Sequence, residues 1–159
     1  MIRPILVLLL ILPLFVSAQK TPSCYREKFD GATDNVFTRM NTPGQFKDGQ
    51  YAWNKFVGSN TDYNKLMPDS TNDFKDSITL RFIVSKEGVL SNIEIIQDGR
   101  PEIREEAIRL VIASCERKWT PGIDSGGAYR NSWVAMKFYF YKQADTAGAY
   151  TVDIDPRIK

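Results

Sequence analysis

Ser77-Ile78-Thr79-Leu80-Arg81-Phe82-Ile83-Val84-Ser85, followed by Lys86-Glu87-Gly88 and Val89-Leu90-Ser91-Asn92-Ile93-Glu94-Ile95, decides the fold of this 159-residue chain. Ile78, Leu80, Phe82 and Val84 alternate with Thr79, Arg81, Ile83 and Ser85, and a period of two puts the first four on one face of a half-buried strand. Lys86-Glu87-Gly88 makes a tight turn, and Val89, Ile93 and Ile95 share one face of a second strand, so the pair predicts a β-hairpin. Asp98-Gly99-Arg100-Pro101 stops it.

Pro101 suits the first turn of a helix, where its missing N–H has no partner to lose, and Glu102, Glu105 and Glu106 suit the positive end of the dipole. The helix should run to about Arg117. Ile103, Ala107, Leu110, Val111 and Ser114 form a stripe able to lie on a sheet face, widened by Ile108 and Ile112, with Arg104, Glu105 and Arg109 facing out. Trp119-Thr120-Pro121-Gly122 breaks the helix, and Asp124-Ser125-Gly126-Gly127 continues a flexible loop. A last strand is expected at 131–142: Val134, Met136, Phe138 and Phe140 share one face, and Trp133, Ala135, Lys137, Tyr139 and Tyr141 the other. That second face is too aromatic for an ordinary solvated surface.

Upstream, Tyr51, Trp53, Asn54, Phe56 and Val57 predict a short helix over 50–57, ended by Gly58. Residues 59–76, rich in Asn, Asp, Ser and Thr, read as a loop. The sum is an α+β, ββαβ arrangement: a three-stranded antiparallel sheet, one covering helix and a short preceding helix, all within 50–142. Residues 19–49 read as a polar, loosely attached arm and 143–159 as a tail, for which disorder is the default.

The first eighteen residues resemble a secretory leader: Arg3, an apolar run from Ile5 to Val16, and Val16-Ser17-Ala18 for cleavage after Ala18. The run is about a dozen residues against the roughly 20 that span a bilayer, and it carries Pro13. Export to the periplasm with cleavage is therefore expected, with an inner-membrane signal anchor as the alternative. Cys24 and Cys115 then enter an oxidising compartment, where they either bridge the arm to the domain or stay as two thiols.

Lys plus Arg is 21 against 19 for Asp plus Glu, and this near balance argues against nucleic-acid binding. With no His and two Cys, the usual zinc, copper and haem ligand sets cannot be assembled, so neither metal nor cofactor is expected. A Ser-His-Asp triad is impossible and Cys115 has no His to activate it. Asp98 with Glu102 could imitate the carboxylate pair of a hydrolase, though such a pair at a strand-to-helix junction is more often a helix-start feature. No enzyme is expected.

The order strand, Gly turn, strand, helix, Trp-x-Pro-Gly, strand resembles the TonB C-terminal domain in a divergent, stand-alone form. The likeness runs over residues 51–141. It rests on Arg81-Phe82-Ile83-Val84, on Gly88-Val89-Leu90-Ser91-Asn92-Ile93, on Ile103-Arg104-Glu105-Glu106-Ala107-Ile108 and on Lys118-Trp119-Thr120-Pro121-Gly122. The resemblance implies a helix covering one sheet face, a structural role for Trp119, Pro121 and Gly122, and partner binding by strand addition to an open edge. That edge would be the last strand, with Trp133, Ala135, Lys137, Tyr139 and Tyr141 gripping the incoming segment of an outer-membrane transporter or other envelope protein. Alternatively these aromatics pack on the short helix or the arm. The chain departs from the family in three places: residues 19–49 hold only Pro22 and Pro43 where the family has a long proline-rich spacer, Arg104 stands where an acidic residue is common, and Met67-Pro68 replaces a Tyr-Pro pair. A self-associating module with no role in transport is the alternative function.

Overall fold

The computed structural model describes residues 22–66, 73–143 and 146–157. The expected leader and Met67-Pro68 lie outside them. In chain order the elements are β1 (Tyr25–Arg26), β2 (Gln45–Phe46), α1 (Gly49–Asn60), α2 (Tyr63–Leu66), β3 (Phe74–Val84), β4 (Leu90–Gln97), α3 (Pro101–Ser114), β5 (Trp119–Thr120), β6 (Gly122–Ile123), β7 (Tyr129–Arg130), β8 (Ser132–Gln143) and β9 (Thr146–Ile154). The chain is α+β. Its main sheet has five strands in the order β1-β4-β3-β8-β9, where three were expected.

The β3–β4 hairpin, α3 and β8 form where side-chain periodicity predicts them, but the expected face of β4 is corrected: two breaks in register turn Leu90 into the core and leave Ile95 exposed, so Val89, Ile93 and Ile95 do not share a buried face. Ile78, Leu80, Phe82 and Val84 are buried, as are Val134, Met136, Phe138 and Phe140 on the paired strand. Gly88 turns the hairpin with φ +80°, and a Cβ there would lie 2.6 Å from the Trp119 carbonyl, so conformation and space both require glycine. On α3, Pro101 is at the start and Ile103, Ala107, Leu110, Val111 and Ser114 are buried against the sheet. The helix proper ends at Ser114, and a 3-10 turn, Cys115–Arg117, completes the expected length.

Aromatic packing explains Trp119. Its ring meets Phe82 at 5.0 Å, Trp53 at 5.4 Å and Phe46 at 5.7 Å between centroids, and its indole N–H donates to Ser114 Oγ at 3.0 Å. Trp53 also meets Phe138, so α1 packs on the same sheet face as α3. Gly58 does not end α1. The helix continues to Asn60, where Asn60 Nδ2 donates to the Phe56 carbonyl and the Thr61 hydroxyl to that of Val57, each at 2.8 Å.

Four expectations are corrected. Residues 59–76, of which 67–72 lie outside the described residues, contain the end of α1, the turn of helix α2, whose Leu66 is buried, and the start of β3 at Phe74. The 121–131 loop is ordered as the β6–β7 hairpin, in which Asp124 accepts from the Gly126 and Ala128 N–H groups and from Arg130. These bonds hold its carboxyl below the usual carboxylate range. The arm is stitched to the domain: β2 pairs with β5, Thr42 and Ile123 exchange backbone hydrogen bonds, and Phe46 enters the core. The tail supplies β9.

Candidate functional site

The candidate site is the outer edge of β8 with the sheet face beside it. Cross-strand pairing places Ala135, Lys137, Tyr139 and Tyr141 opposite Arg81, Thr79, Ser77 and Lys75 of β3, with Trp133 opposite Ile83. These side chains point away from α3, as alternation predicts. The arm and tail divide them between two environments.

At one end Trp133 is nearly buried, packed with Val36 and Ile83 beneath Phe29 of the arm. The Arg81 guanidinium lies 4.6 Å from its ring centroid and pairs with Glu94 at 2.6 Å. Ala135 is buried as well. At the other end Tyr139 stacks on Tyr150 of β9 with centroids 4.9 Å apart, Tyr141 meets Tyr150 edge-on, and Lys137 lies 5.4 Å from the Tyr139 centroid. Tyr141 also lies across Gly148, where an added Cβ would meet its ring and hydroxyl and force them to shift. A groove open to solvent, about 470 Å³ in volume, runs along this end between Lys75, Tyr139, Tyr141 and Tyr150.

Strand addition needs unpaired main-chain groups, and along β8 they are already used. The Phe37 N–H donates to the Asn131 carbonyl and the Trp133 N–H to that of Phe37, each at 2.9 Å. From Ala135 to Gln143, β9 pairs antiparallel with β8. The expectation that β8 is the exposed edge is therefore corrected, because the arm and the tail occupy it from end to end. Neither contributed a periodic apolar signal by which the sequence could have revealed this.

The cover is itself capped. On β9 the Thr151 N–H donates to Asn54 Oδ1 at 2.8 Å, and the Thr151 carbonyl accepts from Gln50 Nε2 at 3.0 Å. The Thr151 hydroxyl lies 3.0 Å from both amides, accepting from Gln50 and donating to Asn54. Gln50 and Asn54 are one turn apart on α1, so a single helix face reaches both backbone groups of one edge residue. Sequence reasoning placed the helix but missed this role, which polar residues at i and i+4 on an otherwise aromatic helix can signal. On α2, the Tyr63 hydroxyl donates to the Gly58 carbonyl at 3.2 Å and accepts from the Ala149 N–H of β9.

A buried carboxylate anchors the connection between α1 and α2. Glu106, with no exposed surface, accepts from the Asp62 N–H at 2.7 Å and from Arg109 at 2.6 and 2.7 Å. Arg109 also donates to the Asn60 carbonyl. The charge is thus paired and bonded as burial demands.

The opposite sheet edge is β4. Cys24 and Cys115 are joined by a disulfide, which holds β1 parallel to β4, and the Leu90 N–H donates to the Cys24 carbonyl at 3.0 Å. Beyond Ser91 the edge carries two breaks in register, one of them near Asn92, whose φ is +49°. Asp98 is paired with Arg104, which holds its carboxyl below the usual range. Among the described residues no helix is long and apolar enough to cross a membrane. Comparison with family models, with curated proteins and with solved structures finds no match for the chain.

Proposed function

We propose that the chain is an exported, non-enzymatic interaction module of the cell envelope, similar in layout to the TonB C-terminal domain, which accepts an extended partner segment on the outer edge of β8 in place of β9. The observation that carries this reading is the slight hold of β9 on the core. The strand covers the edge from Ala135 to Gln143, yet its buried side chains are only Ala149 and Thr151. A strand held chiefly by main-chain bonds can be replaced by another making the same bonds, since the apolar burial lost in the exchange is small. Tyr139, Tyr141 and Lys137 then contact the incoming segment as they now contact Tyr150 and its neighbours. The partner is an outer-membrane transporter or another envelope protein, and no nucleic acid or cofactor takes part.

The test is a pull-down from the detergent-solubilised envelope of the native host with the chain from Gln19 as bait. Transporters should be retained and then displaced by peptides from their periplasmic N-terminal segments. Retention unaffected by such peptides argues against strand addition. A second reading has its own support: β9 follows β8 after a short connection, so two copies can exchange their last strands. A dimer mass in solution, with no transporter retained, selects that reading.

A further inference from the structure

The four hydrogen bonds from Gln50 and Asn54 to Thr151 do more than blunt an edge. Two of them go to the backbone and are indifferent to the residue present; the other two go to the hydroxyl, one donated to it and one accepted from it. Thr151 is 2 % exposed. A methyl in place of this hydroxyl could neither accept from Gln50 nor donate to Asn54, so the site discriminates against an apolar isostere.

We infer that Gln50 and Asn54 form a reader for serine or threonine, selecting a hydroxyl-bearing residue in whichever strand lies on the β8 edge. The inference rests on the strand-replacement reading above and states which segments the edge accepts. β9 serves as the template for the rest of the pattern. Two positions before the hydroxyl residue stands a small one, as Ala149 does, since that side chain packs in the core cluster while its N–H meets Tyr63. Between them stands an aromatic residue, as Tyr150 does against Tyr139, and directly after comes a β-branched one, as Val152 does opposite Lys137. The partner is therefore an extended peptide of the order small, aromatic, Ser or Thr, β-branched.

Two experiments on the full chain separate this inference from the reading beneath it. The first is a cycle in which position 151 is Thr, Ser or Val, with and without Asn54→Ala, followed by amide hydrogen exchange across β9. Thr151→Val should speed exchange at 149–153 by about tenfold, the worth of one or two net hydrogen bonds, while Thr151→Ser stays close to the parent. With Asn54→Ala in place the difference between Thr and Val should shrink, the remainder belonging to the bond that the hydroxyl still accepts from Gln50. Thr151→Ala, which removes the hydroxyl and puts no methyl in its place, should loosen β9 in the same direction, so a poorly folding Val variant does not void the test. Equal exchange for Thr and Val in the parent background overturns the reader.

The second experiment adds blocked peptides in trans to the Thr151→Val chain, one carrying the sequence of residues 146–154 and one with Val at the central Thr. About tenfold preference for the Thr peptide is expected. Equal binding of both peptides overturns the reader but leaves strand replacement standing, whereas binding of neither overturns strand replacement and the partner pattern together.

Discussion

The two edges of the sheet are closed by different chemistry. At β4 the closure is covalent and short: the Cys24–Cys115 bridge holds two residues of β1 against Leu90 and Ser91, and register breaks blunt the strand beyond. At β8 the closure is long and non-covalent: β9 pairs along nine residues, secured at its own rim by Gln50, Asn54 and Tyr63. Both arrangements answer the same hazard, an exposed row of N–H and C=O groups. Only the second can open without breaking a covalent bond. On the strand-replacement proposal, this is the difference between an edge that stays shut and one that exchanges its cover.

The largest effect should come from removing the bridge. Cys24→Ala with Cys115→Ala frees a loop whose ends are 91 residues apart in sequence, and loops of this length lose about 2–5 kcal/mol with the crosslink. Urea unfolding should record that loss. Amide exchange should rise first at Leu90 and Ser91 and not along β9. If β9 opens as readily as β4, the two edges are not independent and the comparison breaks.

Glu106→Ala sharpens it from the other side. The variant strips the Asp62 N–H and Arg109 of their shared acceptor, and because Arg109 is half exposed and rehydrates, the cost should be about 2 kcal/mol. Its local signature separates it from a general loss of stability. Exchange should rise in the α1–α2 connection and along β9, which the helices on either side of that connection cap, while β4 keeps the protection of its bridge. Equal loosening of both edges would show that Glu106 supports the core as a whole.

Legibility in the sequence follows the same division. β3, α3 and β8 bury large apolar side chains at regular spacing, so their faces could be read from Ile78-x-Leu80-x-Phe82-x-Val84 and from Val134-x-Met136-x-Phe138-x-Phe140, whereas on β4 the register breaks bury Leu90 and leave Ile95 exposed, against the expected face of Val89, Ile93 and Ile95. β9 inverts the usual rule. It turns Ala149 and Thr151 inward and leaves Tyr150 and Val152 exposed, so its larger side chains mark the wrong face and its inward ones carry almost no hydropathic signal. β1 and β2 are two residues each, defined by backbone pairing, to which side-chain periodicity is blind. The β8 aromatics were recognisable as unusual for a solvated face. Their division between an arm-covered Trp133 and a tail-covered Tyr139 depends on those unreadable segments.

The smallest effect belongs to Tyr63, and it tests the cap alone. Burial raises the phenol above its ordinary value of 10.0. A raised folded value means that the folded chain holds the phenol proton more tightly than the unfolded chain does. The associated stability is therefore whole below about pH 10, where the unfolded tyrosine titrates, and is lost as pH climbs through the higher folded value. Ionisation removes the proton donated to the Gly58 carbonyl, and α2 loses its grip on the end of α1. Tyr63→Phe removes the same bond at every pH and should cost about 0.5–1.5 kcal/mol. An alkaline titration of β9 exchange should show protection falling above pH 10 in the parent chain, and the Phe variant should already show the looser state at pH 7 with less further change. A parent and variant that follow parallel curves would place the alkaline loss elsewhere, leaving Gln50 and Asn54 as the whole of the cap.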